Sequence, residues 1–264
     1  MKNPETPQNP DAQNNYIPNI HKYCDLWCLK CPFTDRCEWH KIYKYISPGG
    51  HPDFLNQIRE NIQKLQEEIN DITRKQGMEP GNQPIDEEAE RKEQEKVEYI
   101  ENHILTKTAK NYMVMAMGWF ANNHKLIMES GYQLLQNIKL GIQGEETEEE
   151  ATAVYDAFEL IGWYCTHIRV RLKEAISGEY ELNEKPEKMN TPKEADGQAK
   201  AALVEMDRSL AAWNKLRDYF PDAGDDILEI QIFLEKLRKN TEKHFPRARD
   251  FVRPGFDELR QEGL

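Results

Sequence analysis

Ala153-Val154-Tyr155-Asp156-Ala157-Phe158-Glu159-Leu160-Ile161-Gly162-Trp163-Tyr164-Cys165-Thr166-His167-Ile168-Arg169-Val170-Arg171-Leu172-Lys173-Glu174-Ala175 carries its apolar residues at alternating steps of four and three. Val154, Phe158, Ile161, Cys165, Ile168, Leu172 and Ala175 fall on one stripe of a 3.6-residue period, which a strand with its period of two cannot present. The stretch therefore predicts an amphipathic helix packed on a core. Thr147 and Glu150 form a capping-box pattern before it, and Gly178 is placed to end it. Cys165 lies on the core face and reads as a buried structural thiol rather than a nucleophile.

The same period extends in both directions. Downstream, a polar loop from Glu179 to Asn190 leads to Thr191-Pro192-Lys193-Glu194, a cap with proline at the first helical position. The helix it opens carries Leu203, Met206, Leu210, Trp213, Leu216 and Phe220 on one face and stops at Pro221. A last helix, Asp225 to His244, uses Ile227, Ile230, Leu234, Leu237 and Thr241, and Pro246 ends it. Upstream, the segment from Val97 through Ile100, Ile104, Tyr112, Met115, Trp119, Phe120, Leu126 and Ile127 is apolar on more than one face and predicts a central helix. Gly118 and Gly131 mark kinks or close packing within it, and Gly141 and Gly144 end it. Before that, Leu55, Ile58, Ile62, Leu65, Ile69 and Ile72 make a narrow coiled-coil seam. Asp86 is an N-cap for the charged turns Glu87 to Lys96. Residues 53–110 thus read as a helical hairpin with its far end in solvent. No stretch shows repeated period-two alternation of β-branched residues. The fold class is all-α, an antiparallel bundle of about six helices.

The N-terminal part differs in kind. Residues 1–15, rich in Pro, Asn and Gln, read as a disordered lead-in. Residues 16–47 contain Cys24, Cys28, Cys31 and Cys37, four of the five cysteines of the chain, at spacing C-x3-C-x2-C-x5-C. Residues 48–264, after the Ser47-Pro48-Gly49-Gly50-His51-Pro52 break, form the helical bundle. Four thiols so close in sequence converge without closing a large loop, which points to a bound metal. Zinc thiolate sites usually pair two knuckles across a longer loop, whereas consecutive ligands are the ferredoxin habit. The expected cofactor is a [4Fe-4S] cluster held by Cys24, Cys28, Cys31 and Cys37, with zinc as the alternative. Tyr23, Trp27, Phe33 and Trp39 are interleaved with the thiols as a small apolar core or a wall against water. His40 is a possible substitute ligand.

The motif Cys28-x2-Cys31-Pro32-Phe33-x3-Cys37 resembles the three-cysteine part of the iron–sulfur module in RecB-like exonucleases, with Cys24 in place of that family's distant fourth cysteine. The resemblance implies an iron–sulfur site; the nuclease's α/β fold and its metal-binding acid and lysine motif have no counterpart in this sequence. Cys24-x3-Cys28-x2-Cys31 also matches the radical SAM spacing. That family uses an α/β barrel and leaves one iron open, whereas Cys37 closes this set. Across most of its length the chain resembles an uncharacterised family of bacterial all-helical proteins with an N-terminal four-cysteine cluster. The residues concerned are the cysteine run, residues 156–164, residues 207–213, and Phe251-Val252-Arg253-Pro254-Gly255-Phe256-Asp257.

Composition bounds the function. Lys+Arg 35 against Asp+Glu 47 gives a net charge of −12, which opposes non-specific binding to nucleic acid or anionic membranes. No apolar run has the length of a membrane span, and the start of the chain lacks the apolar core of a signal peptide, so a cytoplasmic protein with reduced thiols is expected. None of the seven histidines follows a Glu by three positions, which excludes the paired Glu-x-x-His of di-iron bundles. HExxH, Gly-rich phosphate loops and GxSxG are absent, and no catalytic residue is assigned. One local exception to the acidity runs from residue 236 to 253, with Lys236, Arg238, Lys239, Lys243, Arg247, Arg249 and Arg253 against Glu242 and Asp250. It reads as basic charge suited to a helix C-terminus, or as a docking patch for an acidic partner, phosphate or nucleic acid. The sequence leaves three functional readings: a redox or redox-sensing protein serving a protein partner, an interaction or adaptor protein with a structural metal, and, third, an enzyme whose active site carries no recognised motif.

Overall fold

The computed structural model describes residues 15–41, 67, 87–140, 145–184 and 194–258. The arm of the expected hairpin before Asp86, the Thr191 to Lys193 cap and Gly141 to Gly144 lie outside them. Six α-helices occur among the described residues: α1 Glu87–Asn102, α2 Ile104–Asn122, α3 His124–Leu140, α4 Glu145–Glu184, α5 Glu194–Tyr219 and α6 Gly224–His244. Short 3₁₀ turns accompany them, and no strand occurs among the described residues. The protein is all-α. No described helix is long and apolar enough to cross a membrane.

The chain divides into two compact units, Gln94–Val252 and Met1–Glu93 with Arg253–Leu264. In the first of these, α2, α4, α5 and α6 share one core. The seam of α4 is its contribution: Val154, Ile161, Cys165, Ile168, Leu172 and Ala175 are buried, with Phe158 packed beside them. Each fully buried Ile or Leu contributes about 1.5–3 kcal/mol relative to exposure. Paired residues show how the helices run. On α4 and α5, Tyr164 accepts from Arg208 at 2.8 Å, His167 meets Glu205 at 3.0 Å, and Arg171 donates to Gln198 at 2.7 Å. The numbers rise on one helix as they fall on the other, so this pair is antiparallel. Trp119 sits at the centre of an aromatic cluster with Phe120, Phe158, Trp213 and Phe220. Trp213 donates its indole N–H to the buried Tyr112 hydroxyl at 3.1 Å, which satisfies a polar group that would otherwise be costly there. Burial raises the pKa of that hydroxyl and keeps it neutral.

Three expectations are corrected. Gly178 does not end its helix; α4 runs on to Glu184, 40 residues in all. A Cβ at Gly178 would lie 3.3 Å from both Cβ and N of Ala195, so the glycine is where α4 lets the start of α5 approach. The apolar segment from residue 97 to 127 is not one helix kinked at its glycines. It breaks at His103 and Asn123, while Gly118 and Gly131 have open space where a Cβ would stand. Both break residues bond the backbone locally: His103 Nδ1 accepts from Leu105 N–H, and Asn123 Nδ2 donates to Trp119 O at 2.9 Å. Such side chains compete with the helical ladder.

The most enclosed helix is α5, not this segment. Val114, Met117 and Ile104 on α2 are more than half exposed, whereas α5 buries Ala195, Ala199, Ala201, Ala202, Ser209 and Ala212 around its large residues. Small side chains permit close approach on several faces while adding little apolar signal to the sequence.

Two glycines on α4 give opposite expectations. Gly162→Ala adds a methyl into open space and raises helix propensity, so urea unfolding should show a gain of about 0.5–1 kcal/mol. Gly178→Val forces its branches against Ala195 and should cost about 1–3 kcal/mol despite a smaller gain in propensity.

Candidate metal centre

The segment from Cys24 to Cys37 makes two 3₁₀ turns, Cys28–Lys30 and Thr34–Arg36, with extended backbone at Cys31 and Cys37. Helical backbone resumes over residues 38–41, so the helix expected from Arg36 starts two residues later. Pro32 occupies the turn between the third and fourth cysteines. These reversals bring all four cysteines to the lining of one cavity, which has room for about one water-sized sphere. Cys37 is buried; Cys24, Cys28 and Cys31 are half-buried. None of the five cysteines of the chain is in a disulfide.

Backbone amides are directed at two of the sulfurs. Leu26 N–H donates to Cys24 Sγ and Phe33 N–H to Cys31 Sγ, both at 3.4 Å. To make its bond Leu26 adopts φ +54°, a left-handed conformation that costs a non-glycine residue about 1–2 kcal/mol. Strain of this kind persists only where surrounding structure enforces it, and it clusters at functional sites. Burial raises the pKa of Cys28, with Cys31, Cys37 and Asp25 adding repulsion to its thiolate. Cys31 is raised chiefly by burial too, partly offset by the Phe33 amide. The protons thus stay on these thiols near neutral pH until a metal displaces them.

Trp27, Trp39 and His40 line the cavity, whereas Tyr23 and Phe33 do not. Tyr23 is buried, and Trp39 stacks on His21 at 5.9 Å with 39% of its surface exposed. Leu29, between two of the cysteines, is 89% exposed.

One lining residue escaped the sequence reading. Phe256, from the far end of the chain, lines the cavity and packs edge-on against Phe33 at 5.1 Å. Gly255 precedes it at φ +77°, and a Cβ there would stand 2.9 Å from the Cδ1 atoms of Ile17 and Ile20. Arg253 clamps the tail by a two-pronged bond to Asp257 and lies over the Phe256 ring at 5.2 Å. The signal in the sequence was Pro254-Gly255 followed by an aromatic residue in a tail that had no helical period.

The basic segment is compensated in three dimensions. Arg238 pairs with Glu235 and Glu242, Lys239 with Glu235, Arg247 with Asp196, Arg249 with Asp207 and Glu242, and Arg253 with Asp257. The hydrogen bond from Arg238 lowers the Glu235 pKa to about 2. Four of those carboxylates, Glu235, Asp196, Asp207 and Asp257, fall outside the window over which the local excess was counted. Cys165 is buried and donates to Gly162 O at 3.3 Å, as a structural thiol would.

Comparison with known protein families, curated proteins and solved structures finds no match for this chain.

The tail's packing gives a direct expectation. Gly255→Ala meets both a left-handed backbone and two isoleucine methyls, so it should detach residues 253–258 from the cysteine module. Limited proteolysis should then cut the tail several-fold faster than in the parent protein, with helicity by circular dichroism unchanged.

Proposed function

We propose that Cys24, Cys28, Cys31 and Cys37 hold a [4Fe-4S] cluster and that the protein passes or senses electrons for a protein partner. The observation that carries this reading is the set of four thiols, consecutive in sequence, that line one cavity. A bound cluster of this type supplies a reversible one-electron couple. The chain's own residues are suited to tuning it. The Leu26 and Phe33 amides would stabilise charge on two sulfurs, and Trp27, Trp39 and Phe256 would limit water. Three half-buried cysteines and the exposed Leu29 leave one edge of the site within reach of a docking partner. Lys30, held over Trp27 at 4.6 Å, puts positive charge at that edge. The helices of residues 94–252 would form the antiparallel bundle that the pairings of α4 with α5 suggest, and the reduced thiols suit a cytoplasmic setting.

A second reading rests on the tail. Gly255 and Phe256 pack on the same module, so a metal there would also fasten the two ends of the chain, as a structural site in an adaptor protein would. A reversible one-electron signal in the physiological range separates the readings: present for a redox protein, absent for an adaptor.

Protein purified without oxygen should be brown and carry about four irons per chain. Cys28→Ala should remove most of the iron. Cys165→Ala should leave it intact, since that thiol is enclosed in the core of the other unit. Colourless protein with one tightly held zinc would favour the adaptor.

A further inference from the structure

A second group of metal-ligating side chains occurs among residues the cysteine site does not use. His103 stands at the break between α1 and α2, Glu179 on α4 one residue beyond Gly178, and His244 at the end of α6. One ligand atom from each lies within 4.8 Å of the other two. His244 Nε2 is 2.8 Å from Glu179 Oε2, and the rings of His103 and His244 meet edge-on with centroids 4.9 Å apart. No stretch of sequence joins the three; they are 76 and 65 positions apart, as 179 − 103 and 244 − 179 give. Two departures from the sequence reading create the group. The helical break at residue 103 frees a histidine from the α2 ladder, and the continuation of α4 past Gly178 carries Glu179 to it.

We propose that His103, Glu179 and His244 bind a divalent transition-metal ion. Two imidazoles and one carboxylate form a nitrogen-rich set suited to zinc, cobalt, nickel or ferrous iron rather than to magnesium or calcium, which prefer oxygen alone. The donors already converge, so small side-chain rotations complete three bonds of about 2.0–2.2 Å. Three protein ligands leave at least one coordination position open. A surface cleft bordered by Tyr99 and Asn102 adjoins His103, and another bordered by Asn183 and Asp196 adjoins Glu179 and His244, so exogenous water or a small anion has access.

The helix cap at His103 gives the site a built-in reporter. His103 Nδ1 now accepts the Leu105 amide at 3.3 Å, so that nitrogen holds the ring's lone pair and Nε2 holds the proton. Metal at Nδ1 takes that lone pair directly. Metal at Nε2 moves the ring proton to Nδ1, which then donates and no longer accepts. Either way the Leu105 N–H loses its partner when the ion binds.

The test is a cobalt(II) titration of the full chain, with visible absorption separating thiolate-bound from imidazole- and carboxylate-bound ion, and amide exchange followed at Leu105. The proposal expects one equivalent of cobalt without sulfur-to-metal charge transfer. Its affinity should fall roughly tenfold or more in both Glu179→Gln and His244→Ala, at unchanged melting temperature. Leu105 should exchange faster in the loaded protein. Glu179→Gln is nearly isosteric and keeps the fold readable should His244→Ala lose it. Cobalt that binds solely with thiolate charge transfer, or equal affinity in parent and Glu179→Gln protein, overturns the proposal. Binding that leaves Leu105 exchange unchanged overturns the role assigned to His103.

Discussion

Fourteen residues carry four cysteines, and the backbone between them must reverse repeatedly to direct the side chains toward one cavity. That constraint shapes the segment from Cys24 to Cys37. It selects 3₁₀ turns over an α-helix, places Pro32 in a turn, and holds Leu26 in a left-handed conformation so that its amide reaches Cys24. An α-helix through the same residues would spread positions 24, 28, 31 and 37 along about 20 Å at 1.5 Å per residue, so a single site requires these turns. The chain's tail adds to this module with Phe256 and with a glycine that both a left-handed backbone and close packing against Ile17 and Ile20 require.

The helical unit obeys a different rule. Its core is organised by α5, whose alanines and serine let neighbouring helices approach on several sides, and by α4, whose regular seam supplies the large aliphatic groups. Large aromatics fill the space around Trp119. Some polar groups enter this core in bonded pairs, as with His167 and Glu205 or Arg171 and Gln198. Each such group removed singly would leave its partner buried and unsatisfied.

What could be read from the sequence follows from how local the physics is. The seam of α4, the face of α5, the stop at Pro221 and the span of α6 are set by residues a few positions apart, and each was legible. The start and stop of α6 were read to within one residue. The enclosed position of α5 was not, because alanine contributes to closeness more than to hydropathy. Nor was the continuation through Gly178, since its reason is Ala195, a residue of another helix. The four cysteines could be named because their spacing is short. The parts of that site that come from elsewhere, Gly255 and Phe256, could not, and neither could the compensation of the basic segment by Asp196 and Asp207. The grouping of His103, Glu179 and His244 has the same origin. Long-range proximity leaves no periodic trace in a single chain.

The proposed occupant of the cysteine cavity is iron bridged by sulfide rather than one zinc ion. X-ray absorption spectroscopy on protein purified without oxygen tests it most directly, because it identifies the element and its neighbours together. An iron–sulfur cluster would give an iron edge with a first shell of sulfur and a second shell of iron scatterers, both lost in Cys28→Ala. A zinc edge with four sulfurs at ~2.3 Å and no metal–metal shell would contradict it.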